Sequence, residues 1–279
     1  MTLFQTKDYF SSQLESNHLQ QTTHLAIVAH QDDAEIIGYS GIHQCFQNPT
    51  NWFSSVTLTN GSGASRGGRY QNTSDQTLSE IRQSEQVKAA QLGEYAFCQQ
   101  WLCSSKELKE NQSVAIHQLA TTIDQIRPDT VYTHNPFDKH ATHIVVMNIT
   151  LQALTQVQAN NPNYQPKVYG VEVWGSLDWL PDAYRIDLDC SPMPNLEQAL
   201  IGLYDSQIDG NKGYDTAVLG RRSANATFHS SHHEDSMRST NIAMDLSKSL
   251  GTSTDLVNYC QEILDAFTQE KIEAISTLK

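Results

Sequence analysis

Leu25-Ala26-Ile27-Val28-Ala29 is an unbroken apolar run that stops abruptly at His30-Gln31-Asp32-Asp33. A strand with one solvated face alternates polar and apolar residues. A strand with no polar position is buried on both faces, as in parallel sheets covered by helices on either side. In such open sheets ligands bind just beyond the carboxyl ends of the strands. An imidazole and two adjacent carboxylates at that point have no packing reason to be there. They place chemistry where this architecture carries its sites.

The rest of the chain supports the same architecture. Strand-like runs at 25–29, 56–59, 95–97, 130–133 and 168–173 alternate with helical patterns at 34–47, 77–92, 105–126 and 142–157. Thr77-Leu78-Ser79-Glu80 has the spacing of a capping box, and Gly93 stands where that second helical pattern ends. Alternation of strand and helix implies right-handed crossovers. The expected fold is α/β, a Rossmann-like doubly wound and mostly parallel sheet. Towards the C-terminus, 185–189 alternates as a half-exposed strand, and 195–208 and 255–276 read as helices. The polar stretch 211–239 reads as a long loop, and loops of that length in a compact domain are usually either functional or disordered. Without repeats or a linker-like segment, residues 1–279 are expected to form a single domain.

Composition removes several function classes. The formal net charge is −13 and the 18 Lys and Arg residues are dispersed, which disfavours nucleic acid or an anionic membrane as a partner. No apolar run approaches the roughly 18 residues of a membrane span. The polar first 23 residues carry no secretory h-region. The five cysteines are an odd, scattered set without a C-x-x-C pair. They fit buried thiols in a reducing, cytoplasmic setting.

A second cluster, Asn135-Pro136-Phe137-Asp138-Lys139-His140-Ala141-Thr142-His143, follows the apolar run 130–133. Two strands thus each end in a His/Asp group, and parallel strands end on the same rim. Together they supply a nitrogen and oxygen donor set of the kind catalytic zinc uses, three protein ligands with one position open. Ferrous iron is compatible with the same set.

Ala29-His30-Gln31-Asp32-Asp33-Ala34-Glu35-Ile36 resembles the Ala-His-Pro-Asp-Asp-x-Glu motif of the PIG-L/LmbE-like de-N-acetylases, zinc enzymes that remove acetyl from N-acetylglucosamine-containing substrates. Asp138 to His143 is similar to that family's Asp-x-His-Pro-Asp-His element. The segment from Leu78 to Glu85, with Ala89-Ala90-Gln91-Leu92-Gly93, is similar to its Arg-x-x-Glu…Ala-Ala-x-x-Leu-Gly helix. Order and spacing agree over about residues 24–145, and Tyr204-Asp205-Ser206-Gln207 faintly resembles a C-terminal Ser-Gln element. Gln31 stands in place of the usual proline, and Ala141-Thr142 in place of Pro-Asp; neither change removes a ligand or the base. The resemblance implies His30, Asp33 and His143 as zinc ligands and Asp32 as general base. It implies His140 as the group that stabilises the tetrahedral intermediate, and Arg82 as a substrate contact. Two neighbouring carboxylates cannot both face one cation without strain, so dividing ligand and base between Asp33 and Asp32 is physically consistent.

The expected activity is therefore zinc-dependent removal of acetyl from a small N-acetylated sugar conjugate. Alternatives are hydrolysis of another N-acyl amide, a silent sugar-binding protein of the same fold, and a nucleotide-binding Rossmann protein. The Gly-rich stretch 60–68 matches neither a P-loop nor a dinucleotide fingerprint and reads as a loop lining the substrate cleft. His229, His232, His233 and Glu234 read as a solvated tract in preference to a second metal site. Arg82, were it not a substrate contact, would be an exposed helix residue paired with Glu85 or Gln86. Trp174, Trp179, Tyr169 and Tyr184 read as core or rim aromatics in preference to a sugar platform.

Overall fold

A computed structural model describes residues 3–229, 232–251 and 253–278. Its strands are β1 (Thr6–Phe10), β2 (Thr22–Val28), β3 (Trp52–Thr57), β4 (Phe97–Trp101), β5 (Thr130–His134), β6 (Lys167–Val171), β7 (Ile186–Asp189) and β8 (Thr240–Asp245). Its α-helices are α1 (His18–Gln21), α2 (Asp33–Cys45), α3 (Asp75–Leu92), α4 (Ser105–Glu110), α5 (Gln112–Ile126), α6 (Ala141–Asn160), α7 (Pro194–Gly202), α8 (Asp205–Gln207), α9 (Tyr214–Thr227) and α10 (Ser253–Ser276).

The strands form one sheet in the order β1-β4-β3-β2-β5-β6-β8-β7. The central five, β4-β3-β2-β5-β6, are parallel. β1 joins antiparallel at one edge, and β8 and β7 extend the other edge antiparallel. This is the doubly wound α/β fold, with its switch point between β2 and β5. Strand β2 divides its side chains between the two layers. Leu25, Ile27 and Ala29 pack with α5 and α6, including Leu119 and Leu154. Ala26 and Val28 pack on the opposite face with Ile37 of α2 and Ala89 of α3. Gly41 lets α2 lie against the sheet, because a Cβ there would sit 2.7 Å from Cε2 of Tyr132.

Several local expectations are corrected. Helix α3 is capped by Ser74, whose side chain accepts from Thr77 N–H, so it begins two residues before Thr77. Asn111 divides the expected helix 105–126 into α4 and α5. Stretch 211–239 is not one long loop, since α9 occupies Tyr214–Thr227; residues 230–231 of it lie outside the described part. Its polar composition concealed a helix that docks through hydrogen bonds of buried Arg222 and Asn225. Strands β1 and β8 were not anticipated either. No helix among the described residues is long and apolar enough to cross a membrane.

Candidate metal centre and active site

The chain leaves β2 at Val28, and the next turn is held from both sides. Ala29 N–H donates to His134 Nε2 at 2.9 Å, while the Ala29 carbonyl accepts from Thr59 Oγ1 at 2.7 Å. Asp32 then takes φ 99°, a region that costs a non-glycine residue about 1–3 kcal/mol. That turn folds His30 and Asp33 together: His30 N–H donates to Asp33 Oδ2 at 2.8 Å. Asp33 opens α2, where the helix dipole favours a carboxylate. From β5 the chain reaches Asp138, His140 and, in the first turn of α6, His143.

Three donor atoms converge there. His30 Nδ1 lies 3.2 Å from Asp33 Oδ2 and 3.2 Å from His143 Nε2, and His143 Nε2 lies 3.5 Å from Asp33 Oδ2. Ligand atoms about 2.1 Å from a metal stand roughly 3.0–3.4 Å apart. The chemistry of the set fits a cation too. His143 Nδ1 faces the buried Asp138 carboxylate at 3.4 Å, and a proton on that nitrogen gives the arrangement that fixes a metal-ligating imidazole. Nε2 then turns a lone pair towards the Asp33 oxygen, and two such lone pairs call for a positive charge between them. The residues present therefore fit a divalent metal held by His30, Asp33 and His143.

His134 is a site residue that the sequence did not disclose, because it ends an apolar strand and belongs to neither motif. Its Nε2 lies 3.6 Å from Asp33 Oδ2, and its ring stacks on His143 at 3.9 Å. Asp33, His134 and His143 thus form a metal-compatible group, as do His30, His140 and His143. The Ala29 hydrogen bond already occupies the Nε2 lone pair, however, so His134 backs His143 and does not join the ligand set. Burial, reinforced by His143, holds its pKa well below the usual range, so the ring is neutral.

Burial alone would raise Asp33, but the surrounding His143, His134 and His30 hold it far below the ordinary carboxylate range. Burial raises Asp32 well above that range, against the opposing charge of Arg82. His140, half-buried, is pushed down to about 4 by burial and by His143 and His30. Its backbone N–H donates to Asp138 Oδ1 at 2.8 Å, which fixes the ring over the site, 5.0 Å from His30 and 4.5 Å from His143 between centroids. Its Nδ1 is buried without a protein partner.

Arg82 is not the exposed helix residue of one sequence reading, and it keeps a place in the wall of the cavity beside the cluster. It is 3% exposed, and pairs with neither Glu85 nor Gln86. Its guanidinium donates to the Gln31 carbonyl at 2.5 Å and the Gly61 carbonyl at 3.3 Å, and lies 3.5 Å from Asp32 Oδ1. Three polar partners inside the protein make it a clamp on the turn that carries Asp32. Glu85 instead accepts from Ser206 N–H and Oγ, and Glu35 accepts from Tyr95, Tyr204 and Gln86. The Tyr204–Gln207 segment is in this way pinned beside the site.

The metal-compatible cluster opens into a cavity of about 540 Å³. Gly61, Gly63, Ala64 and Ser65 of the loop after β3 line it, as the sequence suggested, opposite Trp174, Gln207 and Tyr214. Trp174 is therefore a cavity residue, its ring 6.2 Å from that of His140. Trp179 packs on Phe137 and Phe267, and Tyr169 packs on Tyr132, as structural aromatics. Tyr184 donates to Glu262 Oε1 at 2.8 Å. His229 faces Asp187 Oδ2 at 3.7 Å, and among the described residues the tract around it forms no metal-compatible group.

With both the sheet and the rim cluster in place, the class is that of a doubly wound α/β protein with a His/Asp cluster that fits a metal ion. Residues 25–154 match the family model described as PIG-L: GlcNAc-PI de-N-acetylase, and the chain carries a domain of this family there. The family is one of deacetylases, hydrolases of an amide C–N bond. No curated protein sequence matches the chain. Among solved structures, the 4-carboxy-2-hydroxymuconate hydratase GalB of Pseudomonas putida KT2440 is similar with a TM-score of 0.63 and 17% identity, over 81% of this chain and 95% of that one. The N,N'-diacetylchitobiose deacetylase of Pyrococcus horikoshii has a TM-score of 0.63 and 15% identity, over 81% and 83%. The zinc-inhibited form of the teicoplanin deacetylase Orf2 has 0.57 and 14%, over 80% and 97%. At these identities the likeness is one of fold, and a hydratase shares that fold with deacetylases.

Proposed function

We propose that this chain is a metal-dependent de-N-acetylase acting on an N-acetylated amino sugar conjugate, of which N-acetylglucosamine conjugates are the type. The observation that carries the reading is the triangle of His30 Nδ1, Asp33 Oδ2 and His143 Nε2, whose His30 and Asp33 line the cavity together with Asp32 and His140. The family match over residues 25–154 supports it. Five free cysteines support a reducing, cytoplasmic setting.

A zinc or ferrous ion held by His30, Asp33 and His143 supplies Lewis acidity, polarising an amide carbonyl and easing deprotonation of water near neutral pH. Asp32 accepts the water proton on a carboxylate oxygen, in a turn that Arg82 holds fixed. His140 is neutral at pH 7 and offers a ring N–H to the amide oxygen as negative charge develops there. A neutral imidazole is too weak an acid to give up its ring N–H, so the proton on Asp32 is the one returned to the leaving amine. His143 keeps its orientation through Asp138, and His134 fills the space behind it. The cavity walls exclude bulk water and hold the sugar.

The test is acetate release over a panel of N-acetylglucosamine conjugates by protein reconstituted with zinc or with ferrous iron, beside Asp32→Asn. Turnover is expected to fall about 10²–10⁴-fold in the variant, with metal still bound at one per chain. Acetate release that persists without metal or without Asp32 would overturn the mechanism. Hydration of an unsaturated acid with no acetate release would assign the fold's other chemistry.

A further inference from the structure

Beside the main cavity lies a second one of about 170 Å³, and the two share a wall of Ile36, Val173, Trp174, Lys212 and Tyr214. They differ in what their walls ask of a ligand. In the main cavity, buried His140 Nδ1 and Arg82 Nε have no protein partner, so a polar occupant is favoured there. In the annex the buried polar side chains, Glu172 and Asn241, are already engaged. Glu172 accepts from Leu177 N–H, Ile242 N–H and Asn225 Nδ2. Asn241 donates to the Ile36 carbonyl at 2.7 Å and accepts from Arg222 Nε at 2.9 Å. Arg221 donates to the Val173 carbonyl, and the Lys212 ammonium lies 5.4 Å over the Trp174 ring. The apolar surface open to a ligand is Ile36, Val173, Ala217, Val218 and the edge-to-face pair Trp174–Tyr214. An apolar group placed there strands no buried hydrogen bond, and the polar atoms still open beside it are the Lys212 ammonium, the Tyr214 hydroxyl and the remaining Arg221 N–H groups.

We propose that the annex is a subsite for an apolar substituent of the same substrate, an alkyl or aryl group attached close to the scissile amide. The proposal rests on the de-N-acetylase reading and extends it to the substrate's shape: a polar sugar in the main cavity and a hydrophobic group past Trp174. At about 30 Å³ per water-sized group the annex holds roughly five or six carbons. The substituent has two sources, an acyl chain longer than acetyl or a hydrophobic aglycone, and both present the same chemistry to the annex.

Two substrate series separate these sources: N-acyl glucosamines from acetyl to hexanoyl, and N-acetylglucosaminides from methyl to hexyl. On the metal-reconstituted protein, kcat/KM is expected to rise in one series by about three- to fourfold per buried methylene and to level off near five carbons. Filling the annex by Ala217→Trp, or separately by Val218→Phe, is expected to cut the ratio of longest to shortest substrate at least tenfold. Calorimetric binding of hexyl glucoside to the protein gives a reading independent of turnover. It is expected to be saturable, with a negative heat-capacity change that Ala217→Trp diminishes. Flat or falling rates in both series, or a gain that survives both filled variants, overturn the subsite while the activity stands. Hexyl glucoside binding that Ala217→Trp weakens, in a protein that hydrolyses no amide, overturns the activity and leaves the subsite.

Discussion

Arg222 gives the sharpest test of how α9 holds the site in place. It is 1% exposed, and its guanidinium reaches Glu197, Asn241 Oδ1 and the carbonyls of Glu35 and Ile36, the last at 2.6 Å. It also lies 5.3 Å over the Tyr39 ring. Replacing it with Met keeps length and helix propensity but removes every donor. Glu197, 4% exposed, then keeps only the Ser239 hydroxyl at 3.2 Å, and Asn241 Oδ1 loses its partner. Removing one member of a buried ion pair costs about 3–5 kcal/mol. At about 2 °C per kcal/mol for a chain of this size, Tm should fall by roughly 6–10 °C. Glu197→Gln in the same chain removes the stranded charge, so the double variant should recover at least half of the loss. Urea melts of the wild type, both single variants and the double variant close the cycle. The two carbonyls belong to the first turn of α2, which also carries Asp33, so metal should bind Arg222→Met more weakly. A loss below about 1 kcal/mol, or a double variant worse than the sum of the singles, would refute the reasoning, because a merely space-filling Arg222 leaves no charge to relieve.

Three further outcomes are expected. A chelator should lower Tm by about 8 °C relative to protein with free metal at a thousandfold its Kd, which corresponds to about 4 kcal/mol of linkage, and His143→Ala should abolish that difference. Arg82→Met should lower kcat more than tenfold with little change in KM; a rise in KM alone would make Arg82 a substrate contact and not a clamp on the turn. Burial raises the Glu172 carboxyl above its usual range despite its hydrogen bonds, so the folded chain binds that proton more tightly than the unfolded chain does. Its contribution is present below the unfolded value of about 4.3 and is lost as pH rises through the folded one. Glu172→Gln should flatten this segment of a Tm-against-pH curve, and an unchanged slope would assign it to other groups.

The parts legible in the sequence are those where burial leaves an apolar pattern. Strand β2 and its neighbours show as runs, and the rim clusters stand out because they interrupt them. What escaped is what polar contacts stabilise. Strand β1 is half solvated and shows no run, while α9 docks through Arg222 and Asn225 and so reads as loop. His134 lies at the end of an otherwise ordinary strand, and only the pairing of β5 with β2 brings it to Ala29. Arg82 looks solvated because a helix surface is an arginine's usual place; its burial follows from carbonyls of residues 31 and 61, which no local pattern reveals.

The antiparallel edge strand β1 also bears on solubility. It pairs along β4 from Thr6↔Trp101 to Phe10↔Phe97 and turns mostly exposed residues, Lys7 and Asp8 among them, outwards. Charged residues on a terminal strand discourage recruitment of another chain's backbone. Behind it, Phe97-Cys98-Gln99-Gln100-Trp101 is aromatic and carries no charge. A chain shortened past Phe10 would present that segment as an open hydrogen-bonding edge. Such a chain would self-associate through β4 with the His30–Asp33–His143 cluster, on the far side of β3, still assembled.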